Sequence, residues 1–156
     1  MDLQRGLDDR AAERKALERL SQLGDPLERI ARLQWYQFSP LLAKAFAGGE
    51  RPAGTLAFPD LLLIKILILQ SIYEMSDEDI AGAVQDRLSF MRFLRLTIKD
   101  EKPSKETIRQ FRESLARAHV LEDVYRLFEE QLREEGLAVH KTRWKASFLS
   151  SVPPKG

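Results

Sequence analysis

Cysteine is absent from this 156-residue chain, and only two histidines, His119 and His140, are present. The first absence excludes disulfides and thiolate metal sites and fits a reducing compartment, which points to the cytoplasm. The second leaves too few imidazoles for a histidine-rich metal centre. Net charge is nearly absent as well, because 25 Lys and Arg stand against 24 Asp and Glu. Bulk electrostatics therefore gives no pull on a polyanion, and any nucleic-acid face has to be local. Long apolar runs are missing too. In Leu56–Tyr73 the uninterrupted stretches are Leu61–Ile64 and Ile66–Leu69, split by Lys65 and preceded by Asp60. That falls well short of the roughly 20 residues a membrane span requires, and a buried central helix is expected instead. Met1–Leu20 is charged throughout, without the apolar core of a secretory signal. The last absence is local: Gly136–Gly156 contains Lys141, Arg143, Lys145 and Lys155 and no carboxylate.

What is present is mostly helical punctuation, and the expected class is all-α, a compact domain of six or seven helices. Asp25-Pro26-Leu27-Glu28 joins a carboxylate cap to a proline at the first helical position, with a glutamate placed to reach back to the cap's amide, and predicts a helix through about Tyr36. Ser39-Pro40 predicts a short helix to Ala47, ended by Gly48-Gly49. Pro59 opens the apolar helix to about Glu74, Ser76 caps the next, and Pro103-Ser104 opens a helix over Lys105–Ala118. Ile108, Phe111 and Leu115, then Leu121, Val124, Tyr125, Phe128 and Leu132, recur at helical spacing and mark core stripes before Gly136. Three regions result: a charged N-terminal helix over 1–23 with a weak stripe of Ala16, Leu17, Leu20 and Leu23, a helical domain over 24–137, and a basic tail over 138–156. The tail reads as the opening of a β-strand, LAVHKTRWKASFL, or an extended segment, with nothing after it to complete a sheet.

One segment carries a candidate interface. MSDEDIAGAVQDRLSFMRFLRLTIKD has the layout of a helix-turn-helix, with a capped helix over Asp77–Val84, a turn at Gln85–Asp86, and a second helix holding Leu88, Phe93 and Leu94 inward. Between Asp86 and Arg117 nine bases stand against five acids, a local excess able to meet phosphates although the whole chain is neutral. Arg87, Arg92 and Arg95 from the second helix, with Lys105, Arg109 and Arg112 from the next, are the candidate DNA contacts. The competing reading pairs these arginines with Asp86, Glu106 or Glu113 as a solvated coat. Trp35, Tyr36 and Phe38 read as core packing rather than as a base-stacking platform. No cysteine nucleophile, glycine-rich phosphate loop or isolated carboxylate points to catalysis, a cofactor or a small-molecule substrate.

GDPLERI, RPAGTLAFPDLLLIKILILQSIYEMSDEDI, QDRLSFMRFLRL, KPSKETIRQFRESLARAHVLEDVY and EEGLAVHK, in that order from Gly24 to Lys141, resemble the N-terminal domain of InsH-type bacterial transposases, the insertion sequence five family. The resemblance implies a helical domain that helps recognise the ends of a mobile element, followed by an RNase H-like domain using two metal ions held by three acids. In that family the strand after G-L-x-x-H supplies the first of the acids. The aligned stretch here is Arg143-Trp144-Lys145-Ala146-Ser147-Phe148, which places Lys145 at the ligand position, where an ammonium cannot coordinate a cation.

The expected function is accordingly that of a catalytically inactive, truncated transposase relative that binds double-stranded DNA as a repressor or transposition regulator. Itself or a full-length transposase is a possible partner, with no membrane involved. The alternative is a protein–protein interaction module on the same scaffold.

Overall fold

The computed structural model describes residues 10–12, 14–15, 25–139 and 149–151. Residues 10–12 and 14–15 are helical and exposed, while the stripe of Ala16, Leu17, Leu20 and Leu23 lies outside the described residues. The domain is built from α1 (Leu27–Ala31), α2 (Ser39–Ala45), α3 (Asp60–Tyr73), α4 (Asp77–Asp86), α5 (Leu88–Leu94), α6 (Lys105–Arg117) and α7 (Leu121–Glu134), with 3₁₀ turns at Trp35–Phe38 and Ala53–Thr55. The all-α class is as the sequence predicts.

The centre of the fold is α3. Leu62, Leu63, Ile64, Ile66, Leu67, Ile68, Leu69 and Ile72 are all buried, and these positions occupy every side of the helix rather than one stripe. A helix apolar all round needs cover on each side, and α4, α5, α6 and α7 pack around it. Its ends follow the local signals. Pro59 sits at the N-cap in extended conformation and Glu74 closes the C-terminus at φ 51°.

Other helix starts follow the sequence too. Asp25 Oδ1 accepts from Leu27 N at 3.0 Å, Ser76 Oγ from Asp79 N at 3.0 Å, and Ser104 Oγ from Thr107 N at 3.2 Å. Each cap satisfies an amide that the first helical turn leaves without a partner.

Three expectations are corrected. The helix predicted from Asp25 through Tyr36 stops at Ala31, and Gln34 leaves the helical region at φ −84°, ψ 76°. Leu33 and Trp35 are both buried, yet residues two apart point about 200° from each other on a helix. On a helix covered from one side only, unlike α3, burying both requires the chain to leave the helix between them. Trp35 then stacks on Phe38 at 5.2 Å and meets Phe93 edge-on at 5.7 Å, so Trp35 and Phe38 are core while Tyr36 is exposed. The turn placed at Gln85–Asp86 is also shorter than expected. Both residues belong to α4, and Arg87 alone, at ψ 116°, connects α4 to α5. Finally, the C-terminal strand has a partner. β1 (Leu137–Val139) pairs antiparallel with β2 (Leu149–Ser151), matching Leu137 to Ser151 and Val139 to Leu149, so the tail supplies its own second strand and Leu137 is buried against the helices.

Because α3 is enclosed on all sides, truncating its centre leaves a void that no solvent-facing side can relax. Leu67→Ala is expected to lower unfolding free energy by about 2–5 kcal/mol, measured by urea denaturation. The same change at exposed Leu56 should cost under about 1 kcal/mol.

Candidate nucleic-acid interface

Of the three contacts expected from the second helix only Arg92 lies within α5, while Arg87 and Arg95 are its N-terminal and C-terminal caps, and the packing separates them. Phe90, Met91, Phe93 and Leu94 are buried, so four of the seven residues of the expected recognition helix face the core. Arg92 reaches back across the fold to α1, where its guanidinium lies 2.5 Å from Asp25 and 2.9 Å from Glu28. The Asp25 side chain is only 5% exposed, which makes this a clasp closed over the α1–α5 seam. Glu28, expected to reach back to the cap of α1, thus has its carboxylate beside Arg92. Arg87 sits over aromatic faces, 5.1 Å from the Phe90 ring and 6.0 Å from that of Tyr73. Burial pushes the Tyr73 phenol up to about 12, so it stays neutral beneath the cation. Arg95 closes α5 in the left-handed region at φ 58° and is exposed.

α6 divides its bases in the same way. Arg109 is held between Glu106 at 2.6 Å and Glu113 at 3.2 Å, one helical turn to either side, the local pairing that the solvated-coat reading anticipates. Arg112 binds the Asp77 carboxylate with both guanidinium nitrogens, one contact at 2.8 Å, and donates to Gln70 Oε1 at 3.1 Å. Gln70 Nε2 donates to Asp77 at 2.7 Å, so a single network ties the end of α3, the start of α4 and the middle of α6. The hydrogen bond from Arg112 holds the Asp77 carboxyl below the usual carboxylate range. Lys105, at the first position of α6, is exposed.

The six residues therefore do not form one uniform face. Arg92 and Arg112 link helices, Arg109 pairs within its own helix, and Arg87 covers aromatic rings. Arg95 and Lys105 are exposed and take part in none of the ion pairs among the described residues. Lys145 and His140 lie outside the described residues, and His119 is the left-handed residue that ends α6 at φ 58°.

Three further cations, given no role in the sequence reading, are placed by the fold. Arg51 holds Asp60 at the start of α3, with one contact at 2.7 Å, and its guanidinium lies 4.1 Å over the Phe46 ring. Lys65, the one cation inside α3, places its ammonium 5.2 Å from the Trp35 ring and 5.4 Å from that of Phe93, and burial lowers its pKa, with Arg95 nearby adding to the effect. Lys102 is buried in the loop after α5 and donates to the carbonyls of Thr97 and Ile98. Its only sequence signal is a single lysine between Asp100-Glu101 and the Pro103-Ser104 cap. Among the described residues no cluster of three or more His, Asp or Glu side chains is placed to hold a metal ion, and no helix is long and apolar enough to cross a membrane.

The ion pairs separate structural arginines from the rest by stability. Arg112→Ala and Arg92→Ala are each expected to cost about 1–3 kcal/mol, since each leaves a partly buried carboxylate without its partner, whereas Arg95→Ala and Lys105→Ala should leave the thermal midpoint nearly unchanged. The Asp77 carboxyl is depressed in the folded state. Its contribution is thus fully present above the ordinary carboxylate pKa of about 4 and is lost as pH falls through the lower folded value. Asp77→Asn should flatten part of the acid-side fall in melting temperature below about pH 4, read by circular dichroism.

A family model described as Transposase domain (DUF772) matches residues 14–114. The match takes in part of the charged N-terminal segment, all of α1–α5 and most of α6. No curated protein and no solved structure matches the chain. With well over half of its length covered by that family model, this chain belongs to the DUF772 transposase domain family.

Proposed function

We propose that this protein is a DNA-binding domain of the InsH-type, insertion sequence five branch of transposases, acting on transposon-end-like or host DNA as a repressor or transposition regulator, and that it performs no strand chemistry itself. The observation that supports this reading is the division of its bases. Within a transposase-family fold, Arg95 and Lys105 stay exposed and outside every described ion pair while neighbouring arginines hold the helices together. Cations left free on a neutral protein are the groups that can displace counterions from a phosphate backbone. Arg87, exposed above Tyr73 and Phe90, adds a third charge, and pairing with a second copy or with a full-length transposase would bring two such faces to one duplex. Inactivity rests on the sequence alone. Lys145 stands where the resembling family carries its first metal-ligating acid, and the residue present does not fit a divalent cation. A bacterial cytoplasm, with the nucleoid as the site of action, follows from the same reading.

Fluorescence anisotropy with a labelled duplex across a salt series tests the DNA half of the proposal. Wild type should bind at low salt, and Arg95→Ala with Lys105→Ala should lower the salt slope by about one unit per residue lost. Arg109→Ala, with its cation already neutralised by two glutamates, should change the slope least. Absence of wild-type binding at any salt would leave the interaction-module reading in its place. Incubation with an end-labelled inverted-repeat duplex and Mg²⁺ or Mn²⁺ tests the other half, and cleavage above a mock purification would overturn it.

A further inference from the structure

The loop from α5 to α6 contains a turn whose backbone is fixed by a buried charge. Thr97 N donates to Asp100 Oδ2 at 2.7 Å, and Asp100 N donates to Thr97 O at 3.2 Å. Lys102, 8% exposed, donates its ammonium to the carbonyls of Thr97 and Ile98, each at 2.7 Å. A buried ammonium is costly unless its protons are satisfied, and both of these acceptors belong to the turn, so Lys102 acts to lock it. The consequence is at Ile98. With two successive carbonyls drawn onto Lys102, this side chain stands 59% exposed at the tip.

The charges around the tip are unequal. Arg95, Lys99 and Lys105 are exposed and enter none of the ion pairs among the described residues. Of the acids, Glu106 lies 2.6 Å from Arg109, while Asp100, which keeps its charge as it accepts from Thr97 N, and Glu101 are exposed and enter none of the described ion pairs, so three such cations stand against two such acids. A single exposed isoleucine is ordinary on a protein surface. One mounted on a locked turn, with exposed Arg95 three positions before it and exposed Lys99 directly after it, has the residue types used by proteins that press an aliphatic wedge against a base step in the minor groove while nearby bases grip phosphates.

We propose that the turn Leu96–Lys102 is the element that enters duplex DNA, with Ile98 as a minor-groove wedge and Arg95 and Lys99 on the adjoining phosphates. This inference rests on the DNA-binding reading above and assigns to it a groove, an element and a deformation of the duplex.

The test uses the full chain and a mixed-sequence duplex of about 30 base pairs carrying a dye at each end, so that anisotropy reports affinity and energy transfer reports bending. Wild type should bind and shorten the end-to-end distance. Ile98→Ala, at an exposed position that should leave the melting curve unchanged, is expected to abolish the bend and weaken binding about fivefold or more. Lys99→Ala should keep the bend and lower the salt slope by about one. Lys102→Met, which unlocks the turn, should lose the bend as Ile98→Ala does. Wild-type binding without bending, or bending and affinity unaltered by Ile98→Ala, overturns the wedge and leaves the DNA-binding reading standing. No wild-type binding even at low salt overturns both.

Discussion

The enclosure of α3 is the constraint on which the rest of the domain depends. A helix with Leu62, Leu63, Ile66, Leu67 and Ile68 buried on different sides cannot lie on a surface, so other helices have to surround it. The short connections in the chain follow from this. α4 and α5 are separated by Arg87 alone, because two short helices covering adjacent sides of one core helix leave little distance to cross. Lys65, which splits the apolar run, is half-buried and holds its ammonium near Trp35 and Phe93, an arrangement that keeps the charge near aromatic faces.

Around that core the arginines act at two levels. Arg92 to Asp25 and Arg112 to Asp77 join segments distant in sequence and occlude seams where helices meet, so they belong to the architecture. Arg109 and its two glutamates stay within one helix and solvent, where such pairs contribute little to stability. A basic excess counted along the sequence therefore overstates what is available to a ligand. Of the exposed bases outside the described ion pairs, Arg95, Lys99 and Lys105 lie at the α5–α6 connection, while others such as Arg29, Arg32, Lys44 and Arg133 stand elsewhere on the surface.

The family match and the sequence resemblance agree on a transposase-related helical domain, and the match adds coverage of residues from position 14, inside the segment first read as a separate helix. Packing and charge divide the side chains of that domain into those that hold helices together and those exposed to solvent.

Much of the fold was legible in the sequence because its signals are local. Ser76, Ser104, Pro59 and Gly136 each act on residues within one helical turn, and the apolar density of Leu61–Leu69 needs no partner to be recognised as a buried helix. The break after Ala31 was not legible, because the burial of Trp35 depends on Phe93 and Phe128, which only the folded chain brings near. The candidate site divides along the same line. Sequence alone determined where bases are concentrated and that Arg109 has acids one turn away on either side. Tertiary structure decided which bases are already neutralised, since Arg92 and Asp25 are 67 positions apart and Arg112 and Asp77 are 35 apart. A Coulomb interaction depends on distance in space and on exclusion of water, and for pairs so far apart in the chain both are set by the packing around α3.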